Sequence, residues 1–407
     1  MIYRFQFVRM TRNAVMGSIL LAMAGCAASA PDDDGQLNTE AAVQYSITQI
    51  GKTLNELPSQ PPNIPRNITE DGKTWRYVTF KDWTSGFWPG MLWYAHEASG
   101  NEALRDAANR FTRQLTPLAY EPATDHDLGF QVFNSFGNGY RLTKDESYRT
   151  VILATADSLA TLYNPKVGTI LSWPRSVPGL EWPQHNTIID NMINLEMLFW
   201  ASKNGGADSL YDIAVKHAET TMNNHFRDDF TSYHVVVYDK ETGQRVKQMT
   251  HQGIADESMW ARGQAWAIYG YTMVYRETQD PRFLDFAQQV ADVYLNRLPD
   301  DLVPYWDFDD PAIPDAPRDA SAAAIVASAL LELSTFVDGA KGGTYFDSAK
   351  AMLGSLSADY HAGPTGSTAL LKHVTGHKPN GSEINTSINY GDYYYLEALL
   401  RLKKMKG

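Results

Sequence analysis

The sequence predicts an all-α fold in which six helical hairpins close into a double-walled ring, an (α/α)6 toroid barrel. Two observations predict it. A loose unit of an aromatic-rich helix, a short polar turn and a more amphipathic helix recurs along the chain. Strand signals are scarce, with Ser232–Tyr238 the one convincing candidate. An open helical solenoid is the alternative architecture.

The first 25 residues have the features of an export signal. Arg4, Arg9 and Arg12 precede an apolar stretch, residues 14–24, which is too short to span a bilayer. The segment ends in Met-Ala-Gly before Cys26, and small residues in front of a cysteine resemble the lipobox of bacterial lipoproteins. A lone cysteine cannot form an internal disulfide, so we expect Cys26 to be acylated. The alternative is an ordinary secretory signal that is cleaved nearby.

The rest of the chain divides into a tether and one domain. Residues 26–36 are polar and small, which is typical of a flexible tether, and residues 37–407 form the predicted barrel. Loss of residues 1–25 removes three arginines and no acids, so the net charge moves from −12 to −15. An acidic surface argues against a nucleic-acid partner, and it leaves the binding of any acidic ligand to a few local basic residues.

Five copies of the hairpin unit follow the tether. In each copy the turn carries Gly, Asp or Asn, and the second helix begins with an acid, Pro or Thr before apolar residues at helical spacing. The copies are Trp93–Phe111, Phe136–Leu159, Phe199–Met222, Tyr271–Leu295 and Leu330–Leu353, with the last turn predicted at Gly342–Phe346. Asn38–Leu54 and Tyr390–Lys404 supply two further helices, which together make about six hairpins.

Closure of the ring places the apolar helices inside and the amphipathic helices outside. The loops between copies are longer and richer in Trp, His, Pro and Gly than the turns within copies. Three such loops, Thr79–Pro89, Ser172–Asn186 and Val246–Trp260, predict a binding face at one rim.

Two acids stand out at the starts of predicted inner helices. Asp190 has Ile188, Ile189 and Met192 around it, and burial among them predicts a raised pKa. Asp127 lies where a loop runs into an aromatic helix. Either carboxyl could serve as a helix N-cap instead. Two acids at helix starts on neighbouring hairpins would nevertheless face one axial pocket, which favours a catalytic acid/base role for both.

Aromatic and basic side chains in the same segments predict sugar contacts. Trp83 and Trp88 flank one rim segment, and Trp260 and Trp266 flank another that contains Arg262. Each Trp could equally be a core residue, and Arg262 could form a salt bridge between two hairpins. His234 and Gln252 add polar groups nearby, but the histidines lack the spacing of a metal site, so no metal is predicted.

These residues resemble the unsaturated glucuronyl hydrolases, glycoside hydrolase family 88. The matching segments span nearly the whole mature chain: Trp83–Gly90, Asp127–Gly137, Asp190–Leu195, Trp260–Trp266, Asp319–Leu331 and Tyr390–Leu402.

The resemblance implies an (α/α)6 barrel that hydrates the C4=C5 bond of an unsaturated uronate at the non-reducing end of lyase-generated oligosaccharides. It implies that Asp190 is the general acid/base and that Asp127 is the second carboxylate. It also implies that His234, Gln252, Arg262 and Trp266 contact substrate, with Trp83 or Trp88 as a stacking residue and Trp173 or Trp182 as a later one. No cofactor is needed, because protonation of an enol ether gives a cation that a nearby carboxylate can stabilise.

Three other interpretations compete with this one. Unsaturated rhamnogalacturonyl hydrolases share the barrel, although Asp190–Leu195 and Trp260–Trp266 favour the glucuronyl type. Epimerases and lyases built on similar barrels would call for a His pair or a Tyr/His base beside Asp190. A surface glycan-binding lipoprotein would explain Cys26 and the tryptophans without requiring the carboxyls. The expected ligands are unsaturated uronate oligosaccharides, sulfated ones included, and the expected location is a bacterial membrane, reached through a lipid anchor and facing the periplasm or the cell surface.

Overall fold

The computed structural model describes residues 37–176 and 185–406. The predictions for the export signal, Cys26, the tether and Trp182 lie outside these residues. The described helices are α1 (Thr39–Glu56), α2 (Phe87–Ser99), α3 (Glu102–Gln114), α4 (Asn138–Thr143), α5 (Glu146–Ala160), α6 (Asn191–Lys203), α7 (Ser209–Asn224), α8 (Ala261–Thr278), α9 (Pro281–Asn296), α10 (Ala320–Leu333), α11 (Gly339–Asp359) and α12 (Asn389–Lys406).

A π-helix, Gly129–Gly137, runs directly into α4, and the two act as one inner element. Single 3-10 turns occur at Thr116–Ala119, Gly363–Thr365 and Lys378–Asn380. No helix among the described residues is both long and apolar enough to cross a membrane.

The inner wall is a closed ring. Going around it, α2 packs on the π-helix, which is followed by α6, α8, α10 and α12, and α12 packs back on α2. Each outer helix lies against two successive inner ones, as α9 does against α8 and α10 and as α1 does against α12 and α2. The predicted (α/α)6 barrel is confirmed, and the closed ring excludes the open solenoid.

Residue composition explains which helices lie inside. In α8 every residue from Ala261 to Val274 is buried, and in α10 every residue from Ala320 to Leu331 is buried, so neither helix offers a face to water. The outer helix α9 buries one stripe, with Phe283, Phe286 and Val290 turned inward. Apolar helices therefore fill the inner wall and amphipathic helices cover them.

One predicted turn is wrong. The last hairpin turns at residues 334–338, and Gly342–Phe346 lies inside α11. A Cβ on Gly342 would stand 1.9 Å from the carbonyl oxygen of Val337. The glycine therefore permits a close backbone approach where the sequence pattern had suggested a chain reversal.

Short strands lie in the loops at one end of the ring, and the sequence predicted one of them. They are β1 (Ile64–Ile68), β2 (Trp75–Val78), β3 (Tyr163–Asn164), β4 (Thr169–Ile170), β5 (His185–Ile188), β6 (Val235–Tyr238) and β7 (Arg245–Met249). β1 pairs with β2, β3 pairs with β4, and β6 lies between β5 and β7, all antiparallel. β6 lies within the predicted Ser232–Tyr238.

Candidate active site

A cavity of about 1080 Å³ opens at the end of the barrel where inner helices begin. Asp127 precedes the π-helix, Asp190 precedes α6, Arg262 lies in the first turn of α8 and Tyr390 in the first turn of α12. Helices of the inner wall run parallel to one another, so residues at their starts meet at one mouth. The cavity is also lined by Arg66, Ile68, Arg76, Trp83, Trp173, Arg175, His251, Gln252, Gly376, His377, Asn380, Glu383 and Ser387.

Asp190 lies at the N-cap position of α6, but its side chain makes no capping hydrogen bond. Its Oδ2 lies 3.3 Å from Nε2 of His234, and neither atom has a well-aligned hydrogen-bond partner in the protein. The capping alternative therefore fails for Asp190. Asp190 lines the cavity, so its Oδ2 is left available to a ligand, with the His234 imidazole beside it.

The electrostatic environment of Asp190 corrects one expectation. Burial alone would raise the pKa of this carboxyl, as the sequence suggested, but the adjacent His234 imidazole and the Arg262 guanidinium outweigh it and hold the pKa below the ordinary value. These two groups come from β-strand and helix segments far along the chain. Asp190 is therefore ionised in the unliganded protein.

Asp127 has the opposite environment. Burial and the neighbouring Asp125 carboxylate raise the pKa of Asp127 well above its ordinary value, and Arg175 offsets this in part. Arg175 is bound to Asp125, with Nη2 2.9 Å from Oδ2. Asp127 precedes the helix without capping it, since the residue at the N-cap position is Leu128. The site thus pairs a carboxyl of raised pKa with one of lowered pKa.

His126 lies behind the two carboxyls and is fully buried. Its Nδ1 accepts a hydrogen bond from the Asn194 amide at 3.2 Å, which leaves the proton on Nε2. That Nε2 lies 3.5 Å from Oδ1 of Asp127 and 3.7 Å from Oδ1 of Asp125. Burial lowers the pKa of His126, so a neutral imidazole without a hydrogen-bond partner on Nε2 faces Asp125 and Asp127.

Of the predicted tryptophans, Trp83 reaches the cavity and two others do not. The half-buried Trp83 ring stacks on Tyr390, with 5.3 Å between ring centroids and 28° between planes. Trp88 is 1% exposed and packs on Phe111. Trp266 is fully buried and packs on Phe130 and Tyr394. Neither Trp88 nor Trp266 lines the cavity. Both are core residues and not the predicted ligand contacts.

Arg262 joins two hairpins, which is the alternative that the sequence left open. Its Nη1 lies 2.6 Å from Asp319 Oδ2 and donates to the Thr375 carbonyl, while Nη2 donates to the Gly376 carbonyl. Gln252 donates from Nε2 to the same Gly376 carbonyl at 3.1 Å. Both residues line the cavity, and both also anchor a C-terminal loop across its mouth.

His234 and Trp173 complete the predicted set. His234 is 2% exposed and acts on the cavity through Asp190, because it does not itself line the wall. Its Nδ1 faces the backbone nitrogens of His251 and Gln252 at 3.4 Å, which fixes the proton on Nε2 toward Asp190. Trp173 lines the cavity and meets His251 edge to face.

The sequence interpretation missed the segment of residues 365–387, which forms a large part of the cavity wall. The segment contacts the hairpin formed by β1 and β2. Glu383 pairs with Arg66 and Arg76, and the Ile68 nitrogen donates to the Ser387 carbonyl. The segment contains His, Pro and Gly, three of the four residue types that marked the other rim loops, but no Trp. That signal was present between the fifth hairpin and the last helix.

Comparison with known proteins places this geometry among sugar-cleaving enzymes. The model of Glycosyl Hydrolase Family 88 matches residues 63–402. The chain is 44% identical over 368 residues to an unsaturated glucuronyl hydrolase of Formosa agariphila, covering 89% of this chain and 90% of that protein. It is 37% identical over 333 residues to an unsaturated chondroitin disaccharide hydrolase of Streptococcus pneumoniae, covering 79% of this chain and 82% of the relative.

Solved structures agree with this. An unsaturated glucuronyl hydrolase specific for heparin superposes with a TM-score of 0.84 at 42% identity, covering 92% of this chain and 98% of the other. The enzyme from Bacillus sp. GL1, described as responsible for the degradation of glycosaminoglycan, superposes with a TM-score of 0.85 at 31% identity, covering 90% and 97%.

Proposed function

This chain belongs to glycoside hydrolase family 88, and we propose that it removes the 4,5-unsaturated uronic acid from the non-reducing end of lyase-generated oligosaccharides. The observation that carries the proposal is the pair of buried carboxyls, Asp190 and Asp127, at the base of one cavity, with the pKa of Asp190 lowered and the pKa of Asp127 raised. Two carboxyls whose environments push their pKa values apart are typical of acid/base chemistry on a sugar.

The cavity walls suit a uronate. Trp83 offers an aromatic face to the apolar C–H surface of a pyranose, and Tyr390 stacks on this ring. The Tyr390 hydroxyl is buried without a hydrogen-bond partner in the protein and is available to a sugar oxygen. Arg262 supplies the local positive charge that an acidic protein needs in order to hold a carboxylate substrate.

In the proposed reaction the proton of Asp190 adds to C4, and the positive charge that develops at C5 is shared with the ring oxygen. Water then adds to C5 and returns its proton to Asp190. The resulting hemiketal opens, and collapse of the C1 hemiacetal releases the remaining sugar. Asp127 holds the sugar and orients the water or Asp190. The carboxylates stabilise the cation electrostatically, and no cofactor takes part in any step.

Because Asp190 is ionised in the unliganded protein, it must take up a proton before it can act as the acid. A bound uronate brings a second negative charge beside Asp190 and excludes water from the cavity, and both changes raise a carboxyl pKa. Protonation of Asp190 is therefore coupled to substrate binding in this proposal.

Isotopic labelling tests the reaction. In heavy water the product should carry deuterium at C4, and in ¹⁸O-labelled water the C5 keto oxygen should be labelled after correction for exchange. The ultraviolet absorbance of the conjugated alkene should disappear as the sugar is released. A saturated disaccharide of the same composition is the control and should be inert. Comparable cleavage of both disaccharides would contradict alkene hydration and would assign Asp127 and Asp190 to conventional inverting hydrolysis.

The substrate class and the location of the protein are part of the proposal. A panel of lyase-generated unsaturated disaccharides, with and without sulfate, would separate glycosaminoglycan substrates from ulvan, gellan and xanthan products. An export signal followed by Cys26 supports anchoring by a lipid to a bacterial membrane, facing the periplasm or the cell surface.

A further inference from the structure

Two histidines from different loops meet at the cavity wall. His251 follows β7, and His377 lies in the segment that the sequence interpretation missed. Their Nε2 atoms are 3.2 Å apart, and the two rings are nearly perpendicular, with centroids separated by 4.6 Å. The bond from Gln252 to the Gly376 carbonyl holds the same two loops together. Both imidazoles line the cavity that contains Asp190.

Both imidazoles are neutral and available as ligands. Burial lowers the pKa of His251 to about 3 and the pKa of His377 to about 4. Nδ1 of His377 accepts a hydrogen bond from the Asn380 backbone nitrogen at 3.2 Å. The proton of His377 therefore lies on Nε2 and points at the lone pair of His251 Nε2.

The separation of the two nitrogens fits a metal ion. Two nitrogens bound at about 2.1 Å in a tetrahedron are about 3.4 Å apart, which is close to the observed separation. Small rotations of the rings would direct both lone pairs to one point. Metal binding requires the proton of His377 to lie on Nδ1 and not on Nε2, so the Asn380 backbone nitrogen must donate to water. This exchange costs little free energy because Asn380 is exposed.

We propose that His251 and His377 form a binding site for a divalent transition-metal ion, of the class of Zn²⁺, Ni²⁺ and Cu²⁺, whose occupancy inhibits the enzyme. Imidazole nitrogen suits these ions, whereas Mg²⁺ and Ca²⁺ prefer oxygen. Water completes the coordination shell. Among the described residues the sole larger cluster of ligand-type side chains is Asp125, His126 and Asp127, which is a separate location. An ion between the two loops would stand in the substrate's path and tie those loops together.

The test uses the full-length protein without a polyhistidine tag. Calorimetric titration with Ni²⁺ or Zn²⁺ should show one ion bound per chain, and Mg²⁺ should give no binding heat. His377→Gln and His251→Asn should each weaken binding by at least about tenfold, since even the outer-shell partners of metal ligands contribute about 10- to 100-fold. His96→Asn is the matched control, because His96 lies at the end of α2, outside the cavity wall, and this variant should bind as the wild type does.

Inhibition is measured separately, as the metal concentration that halves each variant's own metal-free rate on an unsaturated disaccharide. This readout depends on the proposed function, but the calorimetry does not, and inactive Asp190→Asn protein should still bind the ion. Unchanged affinity in both His377→Gln and His251→Asn would overturn the proposal. So would loss of binding in Asp125→Asn with retention in His377→Gln, which would place the ion at the Asp125 cluster.

Discussion

Asp190 and Asp127 belong to the same residue type and share one cavity, yet their partners divide their roles. His234 and Arg262 favour the charged form of Asp190, and Asp125 disfavours the charged form of Asp127. The apolar neighbours in the sequence correctly predicted burial. They could not show the direction of the pKa shift, because the groups that decide it come from other hairpins.

Asp190→Asn should lower turnover by about 10²- to 10⁴-fold, the usual contribution of a general acid/base. Its thermal midpoint should change little, because the side chain makes no capping bond. Steady-state kinetics on an unsaturated disaccharide, together with thermal unfolding, checks both statements.

Asp145→Ala is the matched control, because Asp145 does cap α5 through the Ser147 nitrogen. It should lose about 1 kcal/mol of stability with no change in turnover. If Asp190→Asn keeps more than about a tenth of the wild-type rate, the acid/base assignment is wrong.

Trp83→Ala should weaken substrate binding, since Trp83 presents a ring to the cavity. Trp88→Ala should instead destabilise the protein by about 3–5 kcal/mol, because it empties a fully buried site. Binding of an unsaturated disaccharide to each variant in an Asp190→Asn background, with chemical unfolding beside it, separates the two effects. Equal loss of affinity in both variants, at a temperature where both are folded, would show that Trp88 contributes to ligand binding as much as Trp83 does.

At the scale of elements, the sequence predicted the helices well and the non-helical wall poorly. Apolar and aromatic periodicity located five inner-outer helix pairs, because a buried inner helix and an amphipathic outer helix have different compositions. Apart from β6, the described strands escaped notice because each has at most five residues, too few for an alternating pattern. The segment of residues 365–387 has little regular structure, so periodicity carried no information about it.

The π-helix depends on a close approach at Gly86. A Cβ at this position would lie 2.2 Å from the Gln131 carbonyl oxygen and 2.3 Å from that of Phe130. Gly86→Ala should therefore push the start of the π-helix away and displace Asp127, costing about 1–3 kcal/mol of stability together with activity.

Gly354→Ala provides the comparison. Gly354 lies within α11 with no atom within 4 Å of an added Cβ, so this change should stabilise the protein by about 0.5–1 kcal/mol. Chemical denaturation of both variants checks the expected opposite signs. Unchanged stability in Gly86→Ala would contradict this expectation, because it would mean that the start of the π-helix can shift at little cost in free energy.

Asp392 at the start of α12 gives stability a pH dependence. Burial raises the pKa of Asp392 to about 7, although the Leu370 and Leu371 nitrogens donate to its carboxylate and partly lower it. Between about pH 4 and pH 7 the native state keeps a proton that the unfolded chain has released, so the contribution of Asp392 to stability falls as pH rises through this window and is constant above it.

In Asp392→Asn this decline should be absent, whatever the absolute stability of the variant. Asp347→Asn, on the exposed side of α11, should keep the wild-type dependence. Free energies of unfolding measured at about pH 4.5, 6 and 8 give the pH dependence of stability. The first two values lie within the window and the third lies above it. A slope in Asp392→Asn equal to that of the wild type would assign the dependence to another group.

At the scale of the whole molecule, the sequence predicts an acidic domain held to a membrane by its N-terminus. Mass spectrometry of mature protein from native membranes should find an acylated Cys26 as the first residue. Cys26→Ala should release the protein into the soluble fraction with its turnover unchanged, because Cys26 precedes every residue that lines the cavity. A soluble wild-type chain that begins after Cys26 would show an ordinary secretory signal.

The seam between α1 and α12 has a consequence for how the protein is made. α1 packs between α12 and α2, and Lys406 Nζ donates to Thr39 Oγ1 at 3.2 Å across this seam. During synthesis the first helix emerges some 350 residues before its second neighbour, so it stays half covered until translation is nearly complete. The inner ring therefore cannot close until α12 has been synthesised, which agrees with the proposed export of the chain before it folds.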